Sequence, residues 1–156
     1  QAGNWLRHRL ESKGWVSLEE AVEVVGYPEA EVRQIVAEIV LAHRLPVRGE
    51  GEHFLHRDYV AEHMDAVLRA VQTGTAEVAA IASAVDAPVS LVVGWLDELA
   101  LEPALPITFD RIQNRVLWEV GVGPQAMTWC PRCGGPERPA GGGLRRCSAC
   151  GWEHDV

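Results

Sequence analysis

Four cysteines near the end of the sequence have the spacing of metal ligands. Cys130 and Cys133 form one C-x2-C pair, Cys147 and Cys150 form a second, and thirteen residues separate the pairs. Four thiolates in a tetrahedral array favour Zn²⁺, with iron as the usual rival. A closed four-cysteine shell leaves no open position for water, so we predict one structural zinc ion held by these residues.

Neighbouring residues bear on this interpretation. Gly134 and Gly151 each follow the second cysteine of a pair, where a glycine lets the backbone turn back beneath the metal. His154, four residues after Cys150, could replace a ligand, although we favour a surface histidine. Two disulfides are the alternative use of four cysteines, but disulfides suit secreted proteins and the sequence shows no export signal.

Aromatic and basic residues surround the cysteines. We expect Trp129 and Trp152 to pack on one another, because so small a unit cannot build an ordinary core. Four arginines are candidate partner-binding residues: Arg132, Arg138, Arg145 and Arg146. They could meet nucleic-acid phosphate or an acidic protein face, or they could be solvated charges on a small domain.

The chain before the cysteines contains a repeat with a spacing of about 60 residues. Leu45, Pro46 and Val47 recur as Leu105, Pro106 and Ile107, and several other core-type positions recur with them, among them Pro28 as Pro88 and Val32 as Val92. A repeat of core-type positions indicates a repeated fold.

Each copy shows the element order of a winged helix: helix, strand, helix, helix, strand, hairpin tip, strand. Apolar periodicity, caps and turns predict helices over 4–13, 18–25 and 29–43, with strands at 15–16, 45–48 and 53–55. Ser17 and Glu20 form a predicted capping box. In the second copy we predict helices over 59–72, 76–85 (capped by Thr75) and 89–101, with strands at 105–109 and 116–120.

The predicted fold is therefore mainly α with small β wings, followed by a four-cysteine zinc ribbon. The predicted domains are winged helix 1 over 1–58, winged helix 2 over 59–120, a Gly-Pro linker over 121–128, and the zinc ribbon over 129–156. No phosphate loop, nucleophile elbow or carboxylate pair occurs in its required context, so we predict no catalytic residue.

The net charge of the 156-residue chain is −8 and unevenly distributed. Residues 1–60 hold 7 Lys/Arg against 10 Asp/Glu, residues 61–120 hold 3 against 9, and residues 121–156 hold 4 against 3. Nucleic-acid binding draws much of its affinity from cations that neutralise phosphates, so this charge disfavours nucleic acid as a partner. No apolar run approaches the roughly 20 residues that cross a bilayer, so we expect a cytoplasmic protein without membrane contact.

Two stretches carry a resemblance to a known family. Residues 15–20 (W-V-S-L-E-E), and residues 59–85 continuing to 94–99 (G-W-L-D-E-L), resemble the tandem winged helices near the N terminus of the ubiquitin-fold-modifier protein ligase. The resemblance covers about residues 10–105. It implies a scaffold ligase without a catalytic cysteine, which holds a charged conjugating enzyme beside a substrate while an adaptor completes a composite winged helix.

This implication fits the cysteines, since all four have metal-ligand spacing and none is left for a thioester relay. The family's large helical region and its enzyme-recruiting helix match no residues of this chain. The expected partners are a conjugating enzyme, a ubiquitin-like modifier, an adaptor or a substrate. The alternative is a transcription factor, because a winged helix followed by a zinc ribbon also resembles the alpha subunit of archaeal transcription factor E, which engages polymerase and DNA.

Overall fold

A computed structural model describes residues 2–50, 52–102, 105–119 and 127–155. Within these ranges lie six α-helices and eight short strands. The helices are α1 (Ala2–Lys13), α2 (Leu18–Val25), α3 (Glu29–His43), α4 (Arg57–Gln72), α5 (Val78–Val85) and α6 (Val89–Ala100). The strands are β1 (Trp15–Ser17), β2 (Val47–Glu50), β3 (His53–His56), β4 (Ile107–Asp110), β5 (Arg115–Trp118), β6 (Glu137–Gly141), β7 (Leu144–Cys147) and β8 (Glu153–Asp155). The prediction of helices with small sheets is confirmed.

The chain divides into two compact units. The first comprises Gln1–Val60 with Pro131–Gly134, and the second comprises Ala61–Cys130 with Gly135–Val156. The four domains predicted from the sequence stay a prediction. Most of the predicted linker, from 121 to 126, lies outside the described residues.

The helical part of the first unit buries the apolar faces of α1, α2 and α3 against one antiparallel sheet. The sheet has the order β1-β3-β2. Its core consists of Leu6, Leu10, Val16, Leu18, Ala21, Val32, Val36, Ile39 and Phe54. These residues recur at helical or alternating spacing, which is why the sequence predicted α2 and α3 with their observed bounds.

The start of α2 confirms one half of the predicted capping box. The Ser17 hydroxyl accepts from the Glu20 amide at 3.1 Å. The Glu20 carboxylate, which we expected to reach back to Ser17, binds the Arg9 guanidinium at 2.5 Å. Arg9 also lies over the rings of Trp5 and Trp15, 5.9 and 5.5 Å from their centroids, so a cation from α1 competes successfully for this carboxylate.

The hairpin of the first unit is shifted from its prediction. Strand β2 begins after Pro46, whose ring nitrogen has no hydrogen to donate, and continues through Gly49 and Glu50. Gly49 pairs with Phe54 and Glu50 pairs with His53, so these two residues belong to the strand and not to the hairpin tip.

The second unit contains most of α4 together with α5 and α6, and each of these helices has buried apolar side chains. Its buried residues include Met64, Val67, Leu68, Val71, Val78, Ile81, Leu91, Val92, Trp95, Leu96 and Leu99. Strands β4 and β5 form a two-stranded antiparallel sheet. The hairpin tip lies over 111–114, where the Asp110 carboxylate accepts from the amides of Ile112 and Gln113 at 2.9 and 3.2 Å.

The predicted cap of α5 at Thr75 was wrong. The helix begins at Val78 with Glu77 at the N-cap, and no side chain caps it. The residues before it are held against β5, because the Ala76 carbonyl accepts from Val116 and the Val78 amide donates to Asn114. Pairing with a distant strand thus overrides the local capping signal.

Local conformations repeat at the predicted spacing. Gly26 and Asp86 end α2 and α5 in the left-handed region, with φ of 76° and 56°. Pro28 and Pro88 precede α3 and α6 with φ of −59° in both. The two copies therefore share their turn geometry as well as their apolar positions.

Among the described residues, no single helix is long and apolar enough to cross a membrane. Helices α5 and α6 reach such a length and composition only as a pair, with a bend of 106° between them.

Two glycines in the first unit provide a matched test of its packing. Gly14 has φ +82° and a Cβ built on it would lie 2.6 Å from the Tyr59 Cβ, whereas Gly26 has φ +76° and open space around it. We expect Gly26→Ala to lower the free energy of unfolding by about 1–2 kcal/mol, the cost of a left-handed alanine. Gly14→Ala should lose a further ~1–3 kcal/mol through the steric overlap.

Urea unfolding of the two variants beside the parent measures the difference. Equal losses would show that the Gly14–Tyr59 contact does not constrain the fold.

Candidate metal centre

The structure brings the four predicted ligands together. The Sγ atoms of Cys130, Cys133, Cys147 and Cys150 all lie within 4.8 Å of one another. The Cys130 and Cys150 sulfurs are 3.7 Å apart, whereas a disulfide bond is about 2.05 Å long. A tetrahedron with Zn–S bonds of about 2.3 Å has sulfurs about 3.8 Å apart. The cluster therefore fits one four-coordinate metal ion.

Backbone turns of one kind surround both cysteine pairs. Gly134 and Gly151 have φ of 81° and 77°, as expected for the glycine that follows each pair. The amides of Ala149 and Cys150 donate to the Cys147 sulfur at 3.3 and 3.4 Å. Such amide donors stabilise a thiolate, which is the form that binds metal.

Main-chain bonds anchor the first cysteine of each pair in the same way. The Cys130 amide donates to the Gly135 carbonyl at 2.8 Å, and the Cys147 amide donates to the Trp152 carbonyl at 2.9 Å. In both pairs the acceptor lies five residues further along the chain. The sheet β6-β7-β8 carries the second pair, because Cys147 ends β7 opposite Glu137 of β6.

Burial separates the ligands into two kinds. Cys130, Cys133 and Cys147 are buried, whereas Cys150 is exposed. Among the described residues, this is the one cluster of three or more histidine, cysteine or acidic side chains with metal-binding geometry. A site with four protein ligands has a structural role, because no coordination position is left for substrate.

Comparison with protein families and with curated proteins adds nothing to this geometry. No model of a protein family matches the sequence, and no curated protein matches it. The chemistry of the centre is therefore inferred from its own residues.

His154 lies beside the centre but outside the ligand cluster. Its Nε2 atom pairs with the Oε2 atom of Glu137, whose side chain is buried. The Trp152 ring stacks on the His154 ring, with centroids 4.7 Å apart and planes at 15°. We expected Trp152 to pack on Trp129, and that contact stays a prediction; the ring that the structure shows stacked on Trp152 is that of His154.

The four predicted partner-binding arginines do not form one patch. Strand pairing places Arg138 directly opposite Arg146, on one face of the sheet, whereas Arg145 points to the other face. The Arg146 Nε donates to Glu153 at 2.6 Å, which offsets the like charge of Arg138. Arg132 is exposed on the turn of the first cysteine pair.

Sequence reasoning missed Glu102 and Ser148. Glu102 follows α6 and is only 2% exposed. Its Oε1 accepts from the Ser148 hydroxyl, while its Oε2 has no hydrogen-bond partner among the described residues. Burial raises the pKa of this carboxyl group. The burial of Glu102 could have been predicted from helical spacing, because position 102 continues the buried face formed by Trp95 and Leu99.

The His154–Glu137 pair predicts a pH dependence. The hydrogen bond to Glu137 raises the pKa of His154 above its ordinary value of about 6.5. The contribution of the pair to stability is therefore fully present below the unfolded pKa and is lost as pH rises through the folded pKa. NMR titration of the His154 ring should give the raised pKa.

Glu137→Gln is the matched variant, because it keeps the shape of the side chain and removes its charge. The pKa of His154 should return towards about 6.5 in this variant. An unchanged pKa would mean that Glu137 does not set the protonation of His154.

Proposed function

We propose that this chain is a non-catalytic scaffold that binds other proteins through two winged-helix modules and a zinc ribbon. One observation carries the proposal: the four cysteines of the chain meet in one closed metal-ligand cluster. No cysteine remains to carry a thioester, so a role in protein conjugation would be that of a scaffold ligase.

Zinc is the metal we propose for the centre, since four thiolates with tetrahedral spacing favour it over harder ions. Bound there, it would supply charge neutralisation and a covalent-like cross-link, but no reaction chemistry. The residues of the chain position the ligands: the two glycine turns and the amides of Ala149 and Cys150 hold the thiolates in place.

The element order supports the assignment of two winged helices. The first copy runs α1, β1, α2, α3, β2, β3. The second runs α4, then a bridge between Glu77 and Arg115 in place of the first strand, then α5, α6, β4 and β5. This is the order of a winged helix.

The third helices favour protein over DNA. In α3, Arg33 pairs with Glu29 at 3.4 Å, and Gln34 donates to Glu38 at 3.3 Å. Helix α6 has no Lys or Arg, and its Asp97 pairs with Arg111 of the hairpin tip at 3.3 Å. Surfaces of this kind present few cations to phosphate, which supports a protein partner.

A scaffold of this kind accelerates conjugation by proximity. Holding a thioester-bearing conjugating enzyme beside an acceptor amine raises their effective concentration, and the scaffold needs no reacting group. The resemblance to the ubiquitin-fold-modifier ligase specifies the pathway we propose: a conjugating enzyme, its ubiquitin-like modifier, and an adaptor or substrate.

The metal assignment predicts one zinc ion per chain by elemental analysis. Cys150→Ser removes the exposed ligand and leaves the three buried ones, so zinc affinity should fall sharply while the helical parts keep their circular dichroism. Structural zinc in zinc-finger peptides contributes roughly 10–16 kcal/mol at neutral pH, so residues 127–155 should lose their amide protection on chelation. Bound iron, or no bound metal, would refute the assignment.

The partner assignment predicts that the purified chain binds a conjugating enzyme of a ubiquitin-like pathway in calorimetry. It should scarcely bind duplex DNA at physiological salt. The opposing result is tight DNA binding that weakens steeply with salt and disappears in the variant Arg138→Ala/Arg145→Ala. Arg7→Ala is the control for a lost surface charge, because Arg7 pairs with Glu11 on α1 at 2.8 Å.

A further inference from the structure

A buried carboxyl group in the second unit faces the second cysteine pair. Glu102 lies two residues after the end of α6, and its side chain is almost fully buried. The Ser148 hydroxyl, which lies between the predicted ligands Cys147 and Cys150, donates to Glu102 Oε1. Buried polar groups need such partners, because an unmade hydrogen bond leaves the cost of desolvation uncompensated.

The cysteine turn fixes the position of Ser148. The Ser148 amide donates to the Pro136 carbonyl at 2.9 Å. The next two amides, of Ala149 and Cys150, donate to the Cys147 sulfur. These bonds hold the turn as long as Cys147 remains a folded ligand, so the place of the serine hydroxyl depends on the metal centre.

Helix α6 fixes the position of Glu102. The Glu102 amide donates to the Leu99 carbonyl at 3.2 Å, and the Glu102 carbonyl accepts from Leu105 at 3.1 Å. Leu99 is fully buried and Leu105 nearly so. The carboxyl group therefore cannot follow the serine away from the core without disturbing the end of α6.

We propose that Glu102 is a positioning residue of the metal centre, and that its hydrogen bond with Ser148 couples metal occupancy to the order of the C-terminal end of α6. If the cysteine turn unfolds, Glu102 loses its partner for Oε1, while Oε2 already has no partner within the part of the chain that the structure describes. By thermodynamic linkage, metal binding favours the ordered end of α6 by the same factor by which that order strengthens metal binding. The coupling rests on the proposed structural zinc.

Three substitutions test whether the hydrogen bond between Glu102 and Ser148, and not the shape of either side chain, affects metal binding. Glu102→Gln keeps the acceptor oxygen and the shape, and places an amide group where Oε2 has no partner. Glu102→Ala removes the acceptor, and Ser148→Ala removes the donor from an exposed side chain. Competition with a chromogenic chelator should show near-parental zinc affinity for Glu102→Gln and roughly tenfold weaker affinity for the two alanine variants.

Hydrogen exchange supplies a second readout. In the parent chain, amides of residues 96–102 should exchange more slowly with zinc than after chelation, and the difference should shrink in Ser148→Ala. Ser90→Ala, an exposed serine at the start of α6, is the matched control and should behave as the parent.

The outcomes distinguish the two proposals. A parent chain that binds no zinc refutes the metal centre and the coupling with it. A parent chain that binds one zinc ion, with unchanged exchange over 96–102 and parental affinity in Ser148→Ala, overturns the coupling and leaves the centre intact. Should Glu102→Ala fail to fold, Ser148→Ala and Glu102→Gln decide the question alone.

Discussion

Four thiolate sulfurs within 4.8 Å of one another impose the main constraint on residues 127–155. At an effective dielectric constant of about 20, each pair of unit charges at this distance repels by roughly 3–4 kcal/mol. A divalent cation converts that repulsion into attraction. The buried apolar side chains of this segment are three cysteines and Pro136, whereas Met127, Trp129, Leu144 and Trp152 keep part of their surface exposed. The proposed metal ion would take the place of the hydrophobic core that so small a segment lacks.

The helical parts, in contrast, are stabilised by the burial of apolar side chains. Their cores contain Leu, Val, Ile, Met and Trp side chains, and the two buried charged residues in the described chain are Glu102 and Glu137. Both carboxyl groups bond to residues of the four-cysteine segment: Glu102, which follows α6, to Ser148, and Glu137, which lies in the segment itself, to His154. Apolar packing tolerates alternative arrangements more readily than buried hydrogen bonds do. Polar contacts therefore define the arrangement around the cysteines, where apolar contacts are few.

The sequence predicted those features whose causes are local. Apolar periodicity gave α2 and α3 their bounds, and ligand spacing identified the cysteines. The predictions failed where a distant segment determines the local structure. Thr75 does not cap α5, because the residues before the helix pair with β5, and the Glu20 carboxylate binds Arg9 instead of the Ser17 amide. Glu102 and Ser148 are 46 residues apart, and a pairwise contact of that kind leaves no periodic trace. The domain limits, the metal's identity and the partners remain predictions.

The number of cations, and not their pairing, weighs most against nucleic acid. An exposed i,i+4 pair such as Arg33–Glu29 is worth only about 0.3–0.5 kcal/mol, so phosphate could displace the glutamate. Non-specific binding at physiological salt requires several phosphates to be neutralised together. Helix α6 has no Lys or Arg that could neutralise a phosphate. The arginines of the β6–β7 hairpin lie on two faces, and Glu153 binds one of them. In the described part of the chain, these few cations support the proposed protein partner over a phosphate backbone.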